Sequence, residues 1–133
     1  MKLILTSLCL ALSALMSDPS DTVERAHCNL AALTAADRAR DHELIPILAG
    51  ALKERKDLPD GYAYRFEPGV VKEVGEWIQI VAKCCQPLTY EVSLEPQPRG
   101  ALWVRITGHD SKEFIGLEFA PLTQKLAAKD GHR

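Results

Sequence analysis

The chain carries no run of five or more like charges. Its 16 basic and 18 acidic residues are interspersed, giving a net charge of -2 and a pI near 6.1. It therefore lacks the basic footprint that draws a protein to nucleic acid or to an anionic membrane surface. It also lacks an apolar run long enough to cross a bilayer: the longest, residues 3–16, falls short of the roughly 20 residues a spanning helix needs. There is no Cys-x-x-Cys, no glycine-rich phosphate loop and no Ser-His-Asp arrangement, so the commonest redox, nucleotide-binding and hydrolase signatures are unrepresented. Internal repeats and low-complexity tracts are missing too.

What is present fits one modest hydrophobic core. The chain has 133 residues, of which 47% are hydrophobic and 26% charged, the balance of an ordinary globular domain. Residues 1–17 differ from the rest. Met1-Lys2 precedes an apolar stretch that suits the h-region of a signal peptide, although cleavage after Ser17 would put Leu15 at the -3 position. The alternative is an N-terminal apolar helix. With the leader removed the protein would be exported, to a periplasm or outside the cell, with no stable membrane span left; otherwise it would be cytoplasmic. Loss of Cys9 would leave Cys28, Cys84 and Cys85, an odd number that cannot pair fully within one chain.

Periodicity lays out the domain. Thr34 reads as a helix N-cap with Asp37 as its capping-box partner, opening a helix to about Arg55 that Pro46 should kink or break. Leu58-Pro59-Asp60-Gly61 is a turn, followed by a strand in which Tyr62, Tyr64 and Phe66 alternate with polar neighbours. A second helix runs from Val70 to Cys85, with Val70, Val74, Trp77, Ile78, Val81 and Cys85 as one apolar stripe. Pro87 stops it. Leu88–Leu94 alternate as a half-buried strand, and Leu102, Val104 and Ile106 line a returning strand. Gly108–Ser111 cap a last helix through Phe119, with Phe114, Ile115 and Leu117 inward.

The order α-β-α-β-β-α predicts an α+β domain over residues 28–119: a three-stranded, mainly antiparallel sheet with helices on one face, partly ferredoxin-like. Residues 120–133 read as a polar C-terminal tail or a short extra helix. An uncovered edge strand would invite a homodimer.

The chemistry concentrates at Cys84 and Cys85, adjacent thiols at a helix-to-strand junction, with Cys28 able to fold back towards them. Thiolates favour soft ions such as Zn(II), Cu(I) or Hg(II). Neighbouring side chains on a helix diverge by about 100°, so both can ligate one ion only if the helix ends between or just after them. Cys28 would add a third sulfur and His109, in the loop after the last core strand, a fourth ligand. This is not the spacing of a structural zinc finger. Two further readings stand beside it. The thiols can be buried as small apolar side chains, or one disulfide from Cys28 can stabilise the fold by about 4 kcal/mol. A thiol-redox enzyme is the third. Against it, Cys84 and Cys85 sit at a helix C-terminus, where the macrodipole disfavours a thiolate and Lys83 offsets this only in part.

Several local patterns recur together: Leu58-Pro59-Asp60-Gly61-Tyr62, Glu76-Trp77, Cys84-Cys85-x-x-Leu88-x-Tyr90-Glu91, Leu102-Trp103-x-x-Ile106-Thr107-Gly108 and Lys112-Glu113-Phe114. With Cys28 ahead of a Leu-Thr helix start, this set resembles a family of small bacterial proteins of unestablished activity whose hallmark is a Cys-Cys-Pro-Phe-like motif between helix and strand. Gln86-Pro87 stands where that motif has Pro-Phe, and the apolar leader is not part of the family pattern. The resemblance spans residues 28–119 and implies that Cys28, Cys84 and Cys85 act as one unit. The expected function is a small non-enzymatic module binding a soft metal ion or thiol-reactive ligand; the alternatives are a structural or interaction domain and the redox enzyme.

Overall fold

The structure, a computed structural model, describes residues 25–98 and 100–130. The apolar leader, Cys9 and His132 lie outside the described residues. The chain enters through a two-residue strand, β1 (His27–Cys28), and a 3-10 turn over Leu30–Ala32. Helix α1 (Ala35–Ala51) starts where sequence chemistry places it. Thr34 Oγ1 accepts from the Asp37 backbone N–H at 3.0 Å, and the Asp37 carboxylate accepts from Thr34 N–H at 3.1 Å, a complete capping box. The helix runs unbroken through Pro46. Pro46 lies on an exposed face, where water can satisfy the carbonyl of His42 that loses its partner.

The expected three-stranded sheet has four strands. Residues 52–55, read as the end of the helix, open a strand instead: β2 (Leu52–Leu58), which forms a hairpin with β3 (Gly61–Phe66) across the Pro59-Asp60 turn. Gly61 is required there, because a Cβ would run into the backbone carbonyl of Ile106 on the neighbouring strand. A 3-10 turn at Pro68–Val70 leads into α2 (Val71–Cys84), followed by the short β4 (Cys85–Gln86). A second hairpin, β5 (Thr89–Leu94) and β6 (Leu102–Thr107), completes the sheet. Its order is β2-β3-β6-β5 and every pairing is antiparallel. β3 and β5 therefore run parallel, linked through α2, with β6 inserted antiparallel between them. This is the split β-α-β arrangement of the partly ferredoxin-like expectation, and β2 adds a fourth strand outside β3, ahead of that unit in sequence.

Tyr64, Phe66, Leu102, Val104 and Ile106 fill the helix side of the sheet; Trp103 and Arg105 take the other face, as period-two alternation demands. On the helix layer the buried set is Val74, Trp77, Ile80, Val81 and Cys84. Trp77 meets Phe119 edge-to-face, ring centres 5.3 Å apart. Ser111 precedes α3 (Lys112–Glu118), where Ile115 is buried but Leu117 is 71% exposed, contrary to its expected inward role. Residues 120–130 form α4 (Ala120–Asp130), a helix rather than a frayed tail, and Leu122 in it is fully buried in the common core. Among the described residues, no helix is long and apolar enough to cross a membrane.

Candidate metal centre

The helix that carries the cysteine pair ends between them. Cys84 is the last residue of α2, and Cys85 is its C-cap in extended backbone, its N–H donating to the Val81 carbonyl. From there the chain becomes β4, which pairs antiparallel with β1 so that Cys28 and Cys85 stand opposite each other. Directly opposed residues of an antiparallel pair bring their side chains together. A backbone bond from Asn29 N–H to the Cys84 carbonyl, 2.8 Å, fastens the same junction from the helix side. A further bond from Ala26 N–H to Ser111 Oγ, 3.3 Å, ties the entering arm to the cap of α3.

The sulfurs converge as a result. Cys28 Sγ lies 2.7 Å from Cys85 Sγ and 3.5 Å from Cys84 Sγ, and the adjacent pair is 3.5 Å apart. All three ligand atoms fall within 4.8 Å of one another, and the three residues are free cysteines with no disulfide among them. Three close sulfurs with no bond between them could hold a soft metal ion. Cys84 and Cys85 are 3% and 1% exposed, whereas Cys28 keeps an open side. The expectation that Cys85 continues the helical stripe of Trp77 and Val81 does not hold. Cys84 takes the buried helical position, and Cys85 belongs to the strand.

A carboxylate borders the sulfurs that sequence reading did not single out. The Cys28 thiol donates to Glu118 Oε1 at 3.3 Å, and the Cys85 thiol approaches the same oxygen at 3.9 Å. Glu118 ends α3, ninety residues from Cys28, and only the tertiary contact reveals it. His109 goes elsewhere: its Nε2 lies 3.2 Å from Asp110 Oδ2 with both side chains largely exposed, and it is not one of the residues whose ligand atoms gather. Lys83 turns to Asp37, 3.1 Å away, instead of offsetting charge on the sulfurs.

Electrostatics keep the Cys28 and Cys85 thiols protonated while no cation is bound. Burial is the largest cause raising the Cys28 thiol to about 12; contacts with Cys84 and the Glu118 carboxylate add to it, and the Cys85 contact opposes it. Cys85 is also raised, by burial first and then by the neighbouring sulfurs. The Tyr90 hydroxyl, which donates to the Cys85 carbonyl at 3.3 Å, is raised chiefly by burial as well. A cation reverses this balance, because its own charge stabilises the thiolates it binds.

Beside the sulfurs opens a cavity of about 440 Å³ with Cys84 in its wall and Asp41, His42 and Glu118 among its polar residues. Burial raises the Asp41 carboxyl above its ordinary value, with the charge of Glu118 the second cause. Asp41 Oδ1 and the nearby Trp77 indole N–H are both buried without a hydrogen bond of good geometry. No family model, curated protein or solved structure matches the chain. The functional reading therefore rests on this geometry.

Proposed function

We propose that the protein is a small non-enzymatic module that binds one soft metal ion through Cys28, Cys84 and Cys85. The convergence of three unbonded sulfurs within 4.8 Å, drawn from segments more than fifty residues apart, carries the reading. A three-thiolate set suits Zn(II), Cu(I) or Hg(II) better than any hard cation. The likeness of the Cys84-Cys85 junction to the Cys-Cys-Pro-Phe hallmark, with a cysteine upstream, supports treating the three as one unit. Glu118 is placed to accept thiol protons as they leave. His109 is not among the residues whose ligand atoms gather, and the three-sulfur site does not depend on it.

Two other readings compete with it. Cys84 and Cys85 belong to the buried core, which is what inert packing in a structural or interaction domain would show. A thiol-redox enzyme needs an attacking thiolate near neutral pH, and burial opposes that at Cys28 and Cys85.

Native mass spectrometry of the full chain, purified without added metal and challenged with Zn(II), Cu(I) and Hg(II), separates them. The expected spectrum gains one ion per chain, and the gain is lost in Cys84→Ser. A protein that ignores all three ions would be a structural domain.

A further inference from the structure

The cavity has a feature that a bare ion leaves unused. An inorganic cation needs only the sulfurs, yet Cys84 also forms part of the wall of a largely apolar chamber beside them, whose polar residues are Asp41, His42 and Glu118. Leu33, Ile45, Trp77, Val81 and Phe119 line it, carried by the entering arm, α1, α2 and the end of α3. Its volume, about 440 Å³, lies within the range of small-molecule sites, roughly 300–1,000 Å³. A largely apolar chamber with a thiol in its wall and two more thiols beside that one fits a ligand with a thiophilic head and an apolar body.

We infer that the centre takes an organic thiophile, a trivalent arsenic carrying one aromatic substituent, R–As(OH)2, with arsenic on the sulfurs and R in the cavity. The inference rests on the metal-binding reading of the same cysteines and extends it to the substrate class. Arsenic bonds Cys84 and one of its two neighbours, whose Sγ atoms both lie 3.5 Å from it. Two As–O bonds break and two As–S bonds form. The two thiol protons leave with the two hydroxides as water, and arsenic stays trivalent, so no oxidant or reductant is required. The exchange creates no net charge, which suits sulfurs as buried as those of Cys84 and Cys85. The third thiol keeps its proton.

The test compares phenylarsine oxide, which hydrates to R–As(OH)2, with its methyl analogue by competition on the full-length reduced protein. Dithiothreitol supplies the preference that a simple dithiol has for phenyl over methyl. The protein should exceed that preference at least tenfold, because the ring leaves water for an apolar wall. Two variants fill the chamber from different elements, Ile45→Trp in α1 and Leu30→Trp in the entering arm; either one that keeps the wild-type circular dichroism carries the test. In it the preference should fall to the dithiothreitol value while methyl binding is unchanged. A wild-type preference equal to that of dithiothreitol, a preference that survives filling, or no arsenical binding at all overturns the inference. Retention of Zn(II) or Hg(II) in those cases would leave the metal module standing; loss of every ion would bring down both.

Discussion

At Cys84 a serine exchanges sulfur for oxygen where the side chain is 3% exposed and its Sγ already donates to the Val81 carbonyl at 3.5 Å. A hydroxyl can make the same bond, so Cys84→Ser should fold with a loss of about 1–2 kcal/mol in urea unfolding. Soft-ion binding should disappear in native mass spectrometry; collapse of the fold would assign Cys84 a structural role. The thiol protons give a second prediction. Folding raises Cys28 from its ordinary value of 9.0 to about 12, so the unfolded chain releases this proton first. The contribution of the group to stability is whole below about pH 9 and is lost as pH rises towards 12. Chemical denaturation of the metal-free protein from pH 8 to 11 checks this, and stability that rises over that window would contradict it. In the neutral range an ion displaces three thiol protons, so its apparent log affinity should climb by about 3 per pH unit. A slope near 2 would mean that one cysteine is not a ligand.

At the scale of elements, α4 is the segment whose importance its composition conceals. Leu122 is fully buried, and Leu122→Ala should cost about 2–5 kcal/mol in urea or thermal unfolding. A cost under about 0.5 kcal/mol would return residues 120–130 to the status of a tail. Apolar alternation or helical spacing makes α2, β3, β5 and β6 legible in the sequence, and Thr34 with Asp37 announces the start of α1. But β5 is an edge strand whose Val92 and Leu94 are exposed, so its alternation marks a strand without the buried face it predicts. Sequence reading missed β2 for a physical reason. Leu-Lys-Glu-Arg-Lys-Asp-Leu is built of good helix formers and charges, with only its ends apolar. As an edge strand it faces water, and charge there discourages pairing with another chain. Its neighbours decide its state: Glu54 pairs with Arg65 at 2.7 Å, and Arg55 lies over the Tyr62 ring at 4.2 Å. The cysteine unit was legible because Pro87 marks a helix end near adjacent thiols. Glu118 was not, since nothing in the chain signals that the end of α3 meets β1 and β4.

Across the whole molecule, the three sulfurs join parts that the backbone connects only distantly. Cys28 belongs to the arm entering the domain, and Cys84 and Cys85 to the junction of α2 and β4. In the metal-free state this joint is held by the two-residue pairing of β1 with β4 and the bonds of Asn29 and Ala26. An ion bound to all three sulfurs would clip the arm to the core, and the unfolded chain, with its cysteines apart, would bind it more weakly. Mass action then stabilises the folded state by about 2.7 kcal/mol at roughly 100 times Kd. Thermal unfolding should shift upward with Zn(II) concentration, and the amides of residues 28–33 should exchange more slowly with solvent. Cys28→Ser should remove both effects while leaving the metal-free melting temperature nearly unchanged, because the backbone bonds of the arm do not involve its sulfur. A zinc-dependent shift of full size in Cys28→Ser would place the ion on the α2 junction alone and detach the arm from the site.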